Sequence, residues 1–338
     1  MSKLKAAIVG LGNIAPMHIK PLNTIGISIV AVCDKDMNTA NKFAKELNCT
    51  AYDDYKKMLE IGGFDVLHIC LPHYLHAPVA NYAFSKGIHV LTEKPMATTV
   101  NDAEEMIKNA KNSGKTLGVI FQNRYNSNVE LIKNTLESGQ LGNVISGWLR
   151  VTWHRGDNYY ASSDWRGISE KEGGGVLINQ SIHTFDLMNY FLGNPTKVKA
   201  KVANLAHPTI EVEDIAEGVI TYGDTRISFF VNTFHPNDAP ISFELICENG
   251  RIEAVGENAK ITWNNGKIEN ATADTDAQKE YGMKTYWGVS HIKQIKDFYN
   301  DLSQNKKVKI DGESAIITQK LISGIYESSS KNKEINFI

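Results

Sequence analysis

The 338-residue sequence predicts an α/β protein: an N-terminal doubly wound parallel sheet, then an α+β domain with an open, mostly antiparallel sheet. Two observations carry this. Up to residue 122, short runs that are apolar on both faces alternate with amphipathic helical stretches. Beyond it, strand-like stretches alternate apolar and polar residues, as strands with one buried face do. The length itself favours two domains over one.

In order, residues 5–9 read as a strand, 13–25 as a helix, 28–33 as a strand and 38–47 as a helix. Residues 65–71 form the next strand, followed by a helix over 77–85 that Gly87 closes. Strands over 88–91 and 116–121 flank a helix over 101–112, which Gly114 ends. In the second half, residues 197–202 and 241–245 have strand periodicity, and Asn265-Gly266 is a hairpin turn between 261–263 and 267–268. Helices over 289–302 and 313–328 close the chain. The expected domains are 1–122 and 123–338, packed tightly with a cleft between them, because no linker, repeat or low-complexity tract separates them.

Composition excludes several classes. Lys and Arg number 36 against 38 Asp and Glu, a formal charge of −2, so no basic surplus points to nucleic acid or an anionic membrane. No apolar run approaches a bilayer span, and the N-terminus enters a strand pattern directly; the expectation is a cytoplasmic protein. Cys33, Cys49, Cys70 and Cys247 stand apart, without a CxxC pair, and no His/Cys/Asp cluster has ligand spacing. Neither a disulfide framework nor a metal site is expected.

Gly10-Leu11-Gly12-Asn13-Ile14-Ala15 is a GxGxxA turn between the first strand and the first helix. Gly10 permits the tight turn, Gly12 lets a pyrophosphate approach the backbone, and Ala15 allows close helix–strand packing. The helix N-terminus offers its N–H groups to the phosphates. The second strand ends in Asp34, at the spacing where an acidic residue meets the adenosine ribose. The pattern reads as nicotinamide dinucleotide binding; the plain alternative is a structural turn. Asp34 repels a 2′-phosphate and favours NAD, while the adjacent Lys35 leaves NADP open.

Glu93-Lys94-Pro95 follows the strand over 88–91, and Leu71-Pro72-His73 ends the strand over 65–71. Ligands of open parallel sheets bind outside such carboxyl ends, which puts Lys94 toward the nicotinamide. An ammonium there can hold a substrate hydroxyl and stabilise developing alkoxide. Its alternative is a solvated loop lysine.

These motifs, with Tyr74, Leu75 and His76 after His73, Gln122-Asn123-Arg124-Tyr125, Gly173-Gly174-Gly175 before His183, and residues 288–291, resemble in their order the Gfo/Idh/MocA oxidoreductases. The resemblance covers nearly the whole chain. It implies a Rossmann cofactor domain whose contacts include Gly10, Gly12, Asn13, Ile14, Ala15, Asp34, Lys35, Leu71, Pro72, His73, His76, Glu93, Lys94 and Gln122. It also implies a catalytic Lys94 and an acid/base His183 beside the nicotinamide.

Residues 172–193 read as one helix closed by Gly193, with Asn179, His183, Asp186 and Tyr190 as a polar stripe. A lone histidine on an apolar helix is commonly a satisfied core residue, but buried polar stripes need partners. Many family members carry aspartate where this chain has Asn179. Asparagine can orient an imidazole but supplies no charge, so Lys94 is a second candidate base. Some members acting on nucleotide-linked sugars also carry the asparagine.

Residues 152–175 hold Trp153, Arg155, Tyr160, Trp165 and Arg166; aromatics stack on sugar rings and arginines grip carboxylate or phosphate. The segment reads as a substrate loop or as an interface loop between subunits, with Arg124 and His291 as further substrate-wall residues. The expected function is NAD(P)-dependent oxidation of a secondary alcohol on a sugar, sugar derivative or cyclic polyol. The alternatives are a cofactor-binding regulator and an NAD-dependent glycosidase. The open sheet suggests a homodimer or homotetramer.

Overall fold

The computed structural model describes residues 4–272 and 290–337. The expected motif residue Gly288, and the helix start at Val289, lie outside them. The chain forms two compact units, Met1–Phe121 with His291–Ile316, and Gln122–Ser290 with Ile317–Ile338.

The first unit contains β1 (Lys5–Val9), β2 (Ser28–Cys33), β3 (Thr50–Tyr52), β4 (Val66–Ile69), β5 (His89–Thr92) and β6 (Leu117–Val119). They pair in the order β3-β2-β1-β4-β5-β6, all parallel. The strand order reverses between β1 and β4, the place where such sheets open a crevice at their carboxyl ends. Three of the connecting helices begin on side-chain caps. Asp36 accepts from the Asn38 amide, Asp54 from Lys56 and Thr99 from Asp102. β3 and the helix Tyr55–Ile61 were not expected, since three- and seven-residue elements give almost no periodic signal.

Two boundaries differ from expectation. The first helix starts at Pro16, not residue 13, because residues 12–15 form the turn and proline's fixed φ suits a first helical position. The helix His291–Ser303, expected in the second domain, is part of the first unit. Its Ile295, Phe298 and Tyr299 share one core with Ile8, Leu22 and Val66, and this apolar burial decides its allegiance.

The second unit contains β7 (Val144–Thr152), β8 (Lys197–Ala203), β9 (Ile215–Tyr222), β10 (Thr225–Asn232), β11 (Ser242–Cys247), β12 (Gly250–Val255), β13 (Asn258–Trp263), β14 (Ile268–Ala271) and β15 (Ile335–Asn336). The sheet order is β14-β13-β12-β11-β7-β10-β9-β8-β15. Only the β7–β10 pairing is parallel among its described neighbours. Gly266, at φ 86°, makes the expected β13–β14 turn. On β10, Ile227, Phe229 and Val231 are buried while Phe230 is exposed, which is the alternation of a sheet covered on one face. Phe185 and Phe191 of the helix Ile182–Leu192 pack on Phe229 and Phe243 of that buried face. The helix Gly312–Lys331 spans the division between the units.

Candidate active site

The glycine turn sits at the carboxyl end of β1. Gly10 has φ 85°, and a Cβ there would lie 2.4 Å from the Cys70 carbonyl oxygen, so both conformation and space demand glycine. Gly12 differs: a Cβ there would meet nothing within 4 Å, leaving its backbone open to a ligand. Ala15 is fully buried under the helix that follows. Asp34, just past β2, accepts from the Leu11 amide at 2.8 Å and from the Asp36 amide at 3.0 Å. Its carboxylate thus fixes the turn and still has lone pairs for ribose hydroxyls. Lys35 follows it in the chain. The open Gly12 backbone and the Asp34 carboxylate at the end of β2 fit a dinucleotide.

The ends of β4 and β5 are tied together. His76 sits between the Leu71-Pro72 and Lys94-Pro95 corners, with Nδ1 2.7 Å from the Pro95 carbonyl and Nε2 2.8 Å from the Leu71 carbonyl, and its single N–H when neutral donates to one of the two. His73 is buried beside it, its ring tilted on that of His76. The Lys94–Pro95 peptide is cis. Glu93 is buried and accepts from His18 Nε2 at 3.0 Å, from His291 Nε2 at 3.3 Å and from the Lys94 amide at 3.3 Å. Burial alone would raise this carboxyl; the bonds from His18 and His291 outweigh it and hold Glu93 well below the usual carboxylate range. The backbone at Lys94 is thereby anchored to a fixed charge.

In the second unit the expected single helix over 172–193 is broken. A short helix Ser169–Glu172 gives way to the glycine turn, a wide π turn at Val176–Gln180, and the helix Ile182–Leu192. The causes are local. Gly174 has φ 144°, with a would-be Cβ 1.9 Å from the Tyr326 hydroxyl, so no side chain fits. Glu213 Oε2 accepts from the Gly175 amide at 2.8 Å and Oε1 from the Leu177 amide at 3.0 Å, taking N–H groups out of any helical ladder. Burial pushes the Glu213 carboxyl up to about 7, against the pull of these amides and of the Tyr326 hydroxyl.

The turn delivers Asn179, whose amide nitrogen donates to Glu172 Oε1 at 2.6 Å and to Tyr159 Oη at 3.2 Å. His183 follows in the first turn of the next helix and is half-buried. Asp186 of the expected stripe faces inward. It accepts from Arg124 Nε and Nη2 at 2.7 and 2.6 Å and from Thr318 at 3.1 Å.

Two residues expected in a substrate wall have other engagements. Arg124 is held in that buried bidentate pair and lies 5.0 Å from the Tyr190 ring. His291 is buried on Glu93 in the first unit. Within the aromatic segment, Trp153 is buried with Nε1 donating to the Ala239 carbonyl, and Tyr160 is buried with its hydroxyl 3.3 Å from Thr233 Oγ1. Arg155 pairs with Asp238 at 2.9 Å. Arg166 lies between the half-buried Trp165 (4.8 Å) and Tyr159 (4.7 Å). The segment also forms a helical turn, Asp157–Ala161. Gln122 is buried where the second unit begins.

Sequence reasoning missed His18, His68, Glu172 and Glu213. His68 left a signal: a histidine inside the wholly buried run Val66–Ile69 needs a partner. Glu213 left none, because the acidic stretch around it reads as solvated. Among the described residues, no group of three His, Cys, Asp or Glu side chains could hold a metal ion, and no helix is long and apolar enough to cross a membrane.

Residues 4–121 match the family model described as an oxidoreductase family with an NAD-binding Rossmann fold, and residues 129–253 match that of the GFO/IDH/MocA C-terminal domain. The D-glucoside 3-dehydrogenase of Escherichia coli is 28% identical, over 99% of this chain and 97% of that protein. The inositol 2-dehydrogenase of Salmonella typhimurium is 28% identical over 74% and 73%. The structure is similar to that of the WlbA dehydrogenase from Bordetella pertussis, solved with NADH and UDP-GlcNAcA. The TM-score is 0.87 at 26% identity, and 99% of each chain is covered.

Proposed function

Because the chain belongs to the GFO/IDH/MocA oxidoreductase family, we propose that it oxidises a secondary alcohol of a sugar, sugar derivative or cyclic polyol with NAD, or runs the reverse reaction. The relatives named for glucoside and inositol oxidation, and the neighbour solved with a nucleotide-linked sugar acid, support that substrate range. Bound NAD supplies the two-electron acceptor. The chain's own residues bind it, with the Gly12 backbone at the pyrophosphate and Asp34 at the ribose.

The observation that carries the reading is the anchored corner after β5. Glu93 holds the Lys94 amide, and His76 is in hydrogen-bond reach of the Pro95 carbonyl, so the lysine is presented from a rigid strand end. Lys94 holds the reacting hydroxyl and stabilises charge developing on its oxygen. His183 takes the proton, and Asn179, its amide nitrogen held by Glu172 and Tyr159, turns its carbonyl oxygen to orient the imidazole or the hydroxyl. Lys94 is the second candidate base. Trp165 and Arg166 meet the sugar or its anionic substituent, while the buried Trp153 and Tyr160 brace their loop.

The outer face of the second unit's sheet carries exposed Trp148, Val219, Phe230 and Ile246. We assign this apolar patch to self-association as a homodimer or homotetramer. We place the protein in the cytoplasm, where its four free cysteines stay reduced.

The test is a screen of sugars, polyols and nucleotide sugars with NAD and NADP, followed by absorbance of the reduced cofactor. Substrate-dependent reduction of NAD supports the assignment. Tight NAD binding with no turnover across the panel overturns it.

A further inference from the structure

A buried line of side chains runs through the first unit and ends beside Lys94. Tyr299 Oη lies 2.8 Å from His68 Nε2, His68 Nδ1 lies 2.8 Å from His18 Nδ1, and His18 Nε2 lies 3.0 Å from Glu93 Oε1. His291 Nε2 reaches the same oxygen at 3.3 Å. The line joins the returning helix, β4, the first helix and the end of β5. His18 and His68 have no exposed surface, and the other three residues have almost none.

Proton counting gives the line a direction. A neutral imidazole has one N–H and one bare nitrogen, whereas a carboxylate only accepts. His18 Nε2 therefore carries its proton toward Glu93, and its Nδ1 is bare. The facing His68 Nδ1 must then carry a proton, which leaves His68 Nε2 bare and makes the Tyr299 hydroxyl the donor. The reverse direction would set a bare His18 Nε2 against the carboxylate, acceptor to acceptor. His291 follows the same rule: its Nε2–H donates to Glu93, and its buried Nδ1 meets no hydrogen-bond partner among the described residues, as suits a bare nitrogen. Burial lowers the basicity of His18 and, more strongly, of His68, so both rings stay neutral.

We propose that Glu93 is a positioning residue for Lys94, and that Tyr299, His68 and His18 form a one-way hydrogen-bond relay that fixes the charge and orientation of Glu93. The proposal rests on the reading of Lys94 as the catalytic ammonium. Oε1 takes two imidazole N–H groups and Oε2 takes the Lys94 amide, so the carboxylate cannot rotate and the chain at Lys94 cannot drift. The other titratable groups that feel Glu93 are His68, His76 and Cys70. Among the described residues, the hydrogen bonds to its oxygens come from His18, His291 and the Lys94 amide.

Tyr299→Phe is the sharpest probe, because it removes one oxygen three hydrogen bonds away from Glu93 and leaves the ring stacked on His68. Without its donor, His68 can move its proton to Nε2, and His18 must then turn its own proton away from Glu93. The full-length protein would be examined by nitrogen NMR of the histidine rings, with kcat and the KM for NAD measured across pH. The expected wild-type pattern is Nδ1–H on His68 and Nε2–H on His18 and His291. Tyr299→Phe should move the His68 proton, shift the pH profile of kcat and lower kcat by about tenfold or more with the KM for NAD unchanged, since small misplacements of a reacting group cost up to about 100-fold. Glu93→Gln should shift the same profile.

An imidazolium at His18 or His68 at neutral pH, or Nε2–H on wild-type His68, overturns the relay. So does a Lys94→Ala variant without turnover alongside Tyr299→Phe and Glu93→Gln variants with wild-type profiles. Full turnover in Lys94→Ala instead overturns the catalytic reading of Lys94, and the positioning role falls with it.

Discussion

Glu213 demands a glycine at position 175: its carboxylate accepts the Gly175 amide at 2.8 Å, and a Cβ on Gly175 would lie 2.0 Å from the Glu213 carbonyl oxygen. The pair sets the π turn that presents Asn179. It also carries a pH signature. Glu213 is raised from an ordinary 4.5 to about 7. A carboxyl with a raised folded pKa contributes stability that is complete below the unfolded value and lost as pH rises through the folded one. Above neutral pH the ionised Glu213 therefore costs about 3 kcal/mol relative to acid conditions. Thermal melts from about pH 5 to about pH 8 should show wild type losing stability relative to Glu213→Gln. Parallel curves would refute the assignment.

The two glycines of the first turn should separate folding from binding. Gly10→Ala combines a positive φ with a backbone clash, and such strain costs about 1–3 kcal/mol, visible as a lower melting temperature. Gly12→Ala has space for its methyl in the protein alone, so the melt should hold while calorimetry shows NAD affinity falling at least about tenfold. Equal NAD affinity in Gly12→Ala and wild type would remove the pyrophosphate from this turn.

Asp34 should set the cofactor preference. Wild type is expected to bind NAD more tightly than NADP, and Asp34→Ala should narrow the gap. It should also loosen the turn, because the Leu11 amide loses its acceptor. Calorimetry with both cofactors reads this; equal wild-type affinities would count against Asp34.

Lys94→Ala and His183→Ala should each lower kcat by roughly 10²–10⁴-fold, with NAD affinity nearly intact. Lys94→Arg should also be poor, since a guanidinium does not surrender its proton. Asn179→Asp should keep activity and move the pH profile if the asparagine only orients. Wild-type turnover in both alanine variants would overturn the roles given to these two residues.

Arg124→Ala should be a stability variant. It strands the buried Asp186 charge, and breaking such a pair costs about 3–5 kcal/mol. Denaturant melts of Arg124→Ala and of Arg124→Ala with Asp186→Asn check it, with the second change expected to recover part of the loss. A wild-type melt in the single variant would show that Arg124 is not structural.

The parallel sheet was legible because its strands are buried on both faces and punctuated by glycine caps, signals that survive in a linear chain. The glycine turn and the proline corner at Lys94 were legible for the same reason, being local. The break near Asn179 was not, because it depends on Glu213 and Tyr326, distant in sequence. The pairing of Arg124 with Asp186 was not legible, because Asp186 was placed only by helical spacing. The place of His291 was not legible because the helix it begins returns to the first core, which no local pattern reveals.

That return has a consequence during synthesis. The ribosome releases the first 121 residues long before the helix His291–Ser303 that completes their core. At about 5–20 residues per second, the intervening segment keeps the nascent cofactor domain waiting roughly 10–30 s with the seat of Ile295, Phe298 and Tyr299 uncovered. Translation speed through the second unit therefore governs how long that apolar surface is open to chaperones, and a chain truncated before residue 291 would carry the exposure for life.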